Sequence, residues 1–212
     1  MRRIVQIGLA AALTLGAASL AQAQNVVKIG QIEAQTGANA IYGWMSSQGA
    51  PIAVDEINKA GGFKVGDTTY KLLQVHFHRP SEHLVNGRSY PMEAHFVHRA
   101  DSGALAVVGV MFSEGKPNAT FGKIIATMPA KEGPAVKADA AINPNGLLPA
   151  KLGYYRYPGS LTTPPCSEVV EWLVLTDPIQ VAASDVAGFA KLYPMNARPA
   201  QKDNRRYVLQ SR

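Results

Sequence analysis

Two styles of hydrophobic patterning meet near residue 70. From there onward the pattern is that of strands. Tyr70 to His78, Met92 to His98, Ala104 to Phe112 and Val169 to Leu175 alternate or run apolar over strand-length stretches. Helical spacing is confined to Thr120–Ala126, closed by Pro129, and to Asp185–Leu192, where Ser184 is read as the N-cap. Asn143-Pro144-Asn145-Gly146, Pro158-Gly159 and Pro164-Pro165 read as turns.

Before residue 69 the chain reads differently. Val26 to Ile32 is a short apolar strand and Thr36-Gly37-Ala38-Asn39 a turn. Ile52, Ala53, Val54 and Ile57 then recur at helical spacing until Gly61-Gly62 stops them. Strand followed by helix is the opening of a βα unit. Further upstream, Arg2 and Arg3 precede the apolar run Ile7–Leu20, which ends at the small-x-small sequence Ala21-Gln22-Ala23. That is the form of a secretory signal peptide, and the run is short of the ~20 residues of an ordinary membrane span. The expectation is a periplasmic or secreted protein with no stable membrane anchor after cleavage.

Composition narrows the function classes. With 47% hydrophobic and 17% charged residues in 212, the chain suits a globular domain and excludes disorder and collagen-like repeats. The formal charge is +6, but outside the N-terminus only Arg205 and Arg206 are adjacent basic residues, so nucleic acid is not an expected partner. The single cysteine, Cys166, excludes an internal disulfide framework and a Cys-rich metal knuckle. All five histidines lie between His76 and His98.

Those histidines carry the candidate chemistry. In a strand, His76 and His78 share a face with Gln74, while Val75 and Phe77 take the other. In the next strand, Glu93, His95 and Val97 share a face. Asn86-Gly87 between them is a hairpin signal, so His95 can return to the His76/His78 face. Three imidazoles from adjacent strands, with a fourth position open, make a catalytic rather than structural zinc pattern. An isolated His-x-His is more often a surface or core feature. A third histidine of matching parity reverses that balance, with Gln74 and Glu93 available to take the outer ring N–H groups. His83 and His98 read as hydrogen-bonded structural histidines.

Longer stretches carry a resemblance. Gln74-Val75-His76-Phe77-His78, Pro80-Ser81-Glu82-His83 and Tyr90 to His98 are similar to the zinc-ligand region of bacterial α-class carbonic anhydrases. Leu105 to Val110, Gly146-Leu147-Leu148-Pro149, Tyr157 to Cys166, Trp172 and Asn196-Ala197-Arg198-Pro199 continue it in order. Carbonic anhydrase is itself the standard example of a three-histidine catalytic zinc site. The resemblance implies a mainly β (α+β) fold, a twisted mixed sheet lacking the family's N-terminal portion, preceded by a short βα element. It implies Zn2+ on His76, His78 and His95, with Thr162 accepting a hydrogen bond from a zinc-bound hydroxide and donating one to Glu82. Val97, Val107, Leu161, Thr163, Val170 and Trp172 would form the carbon dioxide pocket. The implied activity is reversible hydration of carbon dioxide to bicarbonate and a proton.

The upstream segment resembles something else. Val27-Lys28-Ile29-Gly30, Thr36-Gly37, Tyr42-Gly43 and Ala53 to Gly62 are similar to the opening of a periplasmic branched-chain amino-acid-binding protein of the ABC-transporter class. The expected organisation is therefore a signal peptide at 1–23, a βα segment at 24–68 and a zinc domain at 69–212. The family's shuttle histidine and the usual partner of Cys166 would lie before residue 69, and neither residue type occurs there. Weakened turnover, a non-catalytic zinc-binding chimera and an amino-acid-binding fragment are the competing expectations.

Overall fold

The computed structural model describes residues 62–130 and 142–211. The expected signal peptide and βα element lie outside the described residues. The elements in order are β1 (Phe63–Val65), β2 (Thr68–His78), β3 (Met92–Ala100), β4 (Leu105–Glu114), α1 (Ala119–Thr127), a 3-10 turn (Pro144–Leu147), β5 (Tyr154–Gly159), β6 (Val170–Leu175), β7 (Ile179–Val181), α2 (Ala183–Leu192) and β8 (Leu209–Gln210). The strands form one mixed sheet in the order β1-β2-β3-β4-β6-β5-β8, with β7 also paired to β4. The β4–β6 and β4–β7 pairings are parallel and the others antiparallel.

Period-two alternation separates the two faces of this sheet. On one face, Val75, Phe77, Ala94, Phe96, Val110 and Phe112 pack under Phe121 of α1 and Val186 and Phe189 of α2. The other face carries His76, His78, His95, Val97, Val107 and Trp172, which line one small cavity. The β2–β3 register sets His76 opposite His95 and His78 opposite Glu93. A bulge between Leu72 and Gln74 switches parity along β2, so Leu72 enters the helix-covered core while Gln74 turns to the histidine face. Asn86 and Gly87 both have positive φ, and Val85 and Arg88 exchange backbone hydrogen bonds across them, as the hairpin signal predicts.

Three local expectations are corrected. Ser184 does not cap α2: the cap is Ala182, whose carbonyl accepts from the Asp185 and Val186 N–H groups and whose side chain offers no acceptor. Pro158-Gly159 is not a turn but the end of β5, paired with Glu171 and Val170. The Pro158 carbonyl accepts from Arg206 and so points away from β6, and its missing N–H therefore costs that ladder nothing. Val170 is taken up below. The short strands β1, β7 and β8 are too brief to leave a period in the sequence. Helix α1 covers the expected Thr120–Ala126 and starts one residue earlier, with the Asn118 side chain accepting from the Phe121 N–H at 2.9 Å.

Candidate active site

The three histidines expected to bind metal are brought together. Their ring centroids are 4.5 to 5.1 Å apart, and one nitrogen from each lies within 4.8 Å of the others. The remaining nitrogen of each ring is held from behind. His76 Nδ1–H donates to Gln74 Oε1 at 2.7 Å, and His95 Nε2–H donates to Glu93 Oε1 at 2.8 Å. His78 Nδ1 lies 3.3 Å from the Asn196 carbonyl and 3.4 Å from Glu82 Oε1. These acceptors set the tautomers and leave His76 Nε2, His78 Nε2 and His95 Nδ1 as lone pairs facing one another.

Protonation agrees with that assignment. Burial holds the His76 pKa well below its ordinary range, helped by the nearby His78 and His95 and opposed by Glu93. Burial, followed by His95, lowers His78 to about 3. Neutral imidazole is the form that binds a metal.

Glu93 anchors the outer layer. It is fully buried, which alone would raise its pKa, yet His83 and His95 outweigh burial and hold it well below the carboxylate range. Its Oε2 accepts from the backbone N–H groups of Glu82 and His83 at 2.9 and 3.0 Å, and its Oε1 also takes His83 Nδ1–H at 2.6 Å. A buried carboxylate is tolerated because every contact is a charge-assisted hydrogen bond. Gly109, opposite His95, leaves room for it: a Cβ there would meet Glu93 Oε1 at 2.8 Å. His83 continues the chain, with Nε2 at 2.6 Å from the Tyr157 hydroxyl. Burial would lower the His83 pKa, but Glu93 raises it overall.

Asn196 does work that sequence reasoning did not assign. Its side chain accepts from the Arg79 N–H at 2.7 Å and donates to the Phe77 carbonyl at 2.9 Å, placing its own carbonyl at His78. It lies 118 residues from His78 in the chain, and only its place in a recurring motif could have marked it. His98 keeps its structural reading, with Nδ1–H donating to the Phe96 carbonyl at 2.8 Å.

Glu82 and Thr162 close the site. Burial raises the Glu82 pKa, against the opposing effects of His95, the Arg198 N–H and Thr162. Glu82 Oε1 accepts from that N–H at 2.6 Å, while Oε2 lies 4.0 Å from His95 Nδ1. Thr162 is near enough to hold the carboxyl down, but Oε2 still has no closed hydrogen bond. The Thr162 loop is pinned by Trp172 Nε1–H to the Ser160 carbonyl at 3.0 Å and by the Leu161 N–H to the Ser167 carbonyl at 3.0 Å. Cys166 is an unpaired thiol, half-buried, in the left-handed region at φ 58°.

Between these groups lies a cavity of about 100 Å³, walled by Val97, Val107, Leu161, Thr162, Thr163 and Trp172. Val170 is not in that wall. It pairs with Leu105 and Gly159 and is buried beside Val107 and Trp172, two residues further along the same face. The fit of a metal is tested by one atom: His78 Nε2, one of the three converging ring nitrogens, is buried with no hydrogen-bond partner. An orphaned buried acceptor is costly unless something satisfies it. Three imidazoles suit a divalent zinc ion with one position open.

The profile described as "Eukaryotic-type carbonic anhydrase" matches residues 44–212. The chain belongs to this carbonic anhydrase family. The match begins ahead of residue 69, inside the segment expected to be a separate βα element. A carbonic anhydrase from Nostoc sp. is 42% identical over 70% of this chain and 56% of its own length. The α-carbonic anhydrase of Thermovibrio ammonificans, solved with the inhibitor sulfanilamide, has a TM-score of 0.66 at 46% identity, covering 68% of this chain and 64% of that one. Dioscorin complexed with ascorbate has a TM-score of 0.64 at 31% identity, covering 69% and 64%. The chain thus spans roughly three-fifths of the length of these relatives. Because the fold also matches dioscorin, chemistry in this family member has to be argued from the histidines and Glu82, not from the sheet.

Proposed function

We propose that this chain is a zinc-dependent carbonic anhydrase acting on carbon dioxide and bicarbonate. The observation that carries the reading is the convergence of His76 Nε2, His78 Nε2 and His95 Nδ1 on one point of the family sheet, with the first two rings kept neutral by burial. Zinc, when bound, supplies Lewis acidity that makes a hydroxide-type nucleophile available at neutral pH. Everything else is done by the protein. Gln74, Asn196 and Glu93 hold the three rings by their outer nitrogens. Glu82, tied by the Arg198 N–H, offers Oε2 to the Thr162 hydroxyl proton. With its proton so committed, the Thr162 oxygen can only accept, which orients an incoming O–H donor. The Thr162 backbone N–H is a donor for a substrate oxygen. Val97, Val107, Leu161 and Trp172 present an apolar wall to an apolar gas and keep bulk water out, and Thr163 forms part of the same lining.

The proton released has no histidine upstream of residue 76 to receive it, so its transfer falls to buffer or to another group. The leader Met1–Ala23 supports export to the periplasm or beyond, and the segment before residue 69 supports a fused origin with a solute-binding protein. The deciding experiment is stopped-flow carbon dioxide hydration on protein of measured zinc content. About one zinc per chain and hydration above the buffer rate are expected. Zinc without hydration would leave a non-catalytic metal-binding protein and sink the proposal.

A further inference from the structure

A second, larger cavity of about 410 Å³ lies beside the first and shares Thr162 and Trp172 with it, but none of His76, His78 and His95 lines it. Tyr155, Tyr157, Trp172 and Val174 from β5 and β6 form an aromatic and apolar wall, with Leu84 and Val208 at the sides. Arg198 and Arg206 line the same space. Arg206 lies over the Tyr157 ring at 5.5 Å and gives one N–H from each of its three nitrogens to the backbone carbonyls of Asp203, Lys202 and Pro158, which leaves an N–H on each terminal nitrogen. The Arg198 guanidinium makes one long contact, 3.4 Å to Ser160 Oγ. Among the described residues neither has a carboxylate partner. The two acids at this cavity are committed elsewhere: Glu82 Oε1 takes the Arg198 N–H, and Asp203 Oδ1 the Arg205 N–H.

Two guanidinium groups without counter-ions beside a flat aromatic wall define a ligand chemistry. Guanidinium selects a planar carboxylate, and the rings select a flat apolar body. The volume is that of a small-molecule site. We propose that this cavity is a second ligand site, separate from the metal centre, for a small aromatic carboxylate whose charge faces Arg198 and Arg206 and whose ring lies against Tyr157, Trp172 and Val174.

The test is calorimetry on the full zinc-loaded chain with 1-naphthoate, and with 1-naphthalenemethanol as the uncharged analogue of the same shape. Naphthoate binds saturably at one site, and the alcohol binds more weakly. Arg206→Gln weakens naphthoate by roughly tenfold and leaves the alcohol unchanged. Val208→Glu, at a position 55% exposed and so without cost to the core, sets a negative charge at the rim and abolishes naphthoate binding. The zinc content of both variants shows that they are folded. Chelating the zinc leaves naphthoate affinity intact, which separates this site from the histidines whatever the fate of the catalytic reading. Three results would overturn the proposal. One is no saturable binding. Another is binding that vanishes with the metal. The third is affinity indifferent to both substitutions.

Discussion

The two faces of the β2–β3–β4 sheet are made by the same strands, and they obey different rules. On the helix-covered face, Phe77, Phe96, Phe112 and Phe121 interlock by shape, and no atom there needs a named partner. On the histidine face, the polar atoms are held by named partners at set distances, and among the described residues His78 Nε2 and Glu82 Oε2 are buried without one, where chemistry is expected. The first face determines whether the protein folds. The second determines what it binds once folded. Substitutions should therefore separate the two properties.

The largest separation is His95→Ala. Zinc content by metal analysis falls to background and carbon dioxide hydration to the buffer rate, while the far-ultraviolet dichroism of the sheet persists. Phe121→Ala inverts the pattern. It removes a fully buried ring from the core face and costs about 3–5 kcal/mol in denaturant unfolding. Protein that remains folded still binds zinc.

Acid should act next on the helix-covered side of the sheet, where His98 shares the parity of Ala94 and Phe96 and lies opposite Leu72. Burial lowers His98 from 6.5 to about 4 in the folded state. Between those values the unfolded chain takes up a proton that the folded chain refuses, so stability is present above pH 6.5 and is lost as pH falls toward 4. The loss is on the order of 3 kcal/mol. Denaturation midpoints measured across that range should fall, and the fall should be shallower in His98→Leu. Glu93→Gln is subtler. It keeps the shape but removes the charge that His83 and His95 share, and zinc affinity by competition with a chelator should drop ~10–100-fold. Smallest is Gln74→Ala, which loosens one ring, His76, where β2 is only partly buried. Its zinc affinity should fall less than that of Glu93→Gln in the same competition assay.

Much of the histidine face was legible before any coordinates. The parity of His76, His78 and His95 follows from alternation, and the Asn86-Gly87 turn follows from its positive φ requirement. Glu93 and Gln74 could be named as the groups behind the rings because each sits two residues from its histidine in the same strand. Other features were not legible. Ser184 looked like a cap because its type fits that role, but the chain enters α2 two residues earlier. Pro158-Gly159 looked like a turn because nothing local says that the outer side of β5 has no ladder bond to lose there. Val170 was placed in the pocket wall, whereas its register sets it one step along the same face from Val107 and Trp172, outside the cavity lining.

What the sequence by itself determined is whatever repeats within a strand or closes within a turn, because a period of two and a hairpin act over a few residues. Tertiary structure alone decided that the bulge before Gln74 would swing it across to the imidazoles, that a carbonyl 118 residues away would steady His78, and that Glu93 would serve His83 and His95 together. Those outcomes depend on which distant segments lie side by side, and a hydrogen bond between them leaves no periodic trace in either.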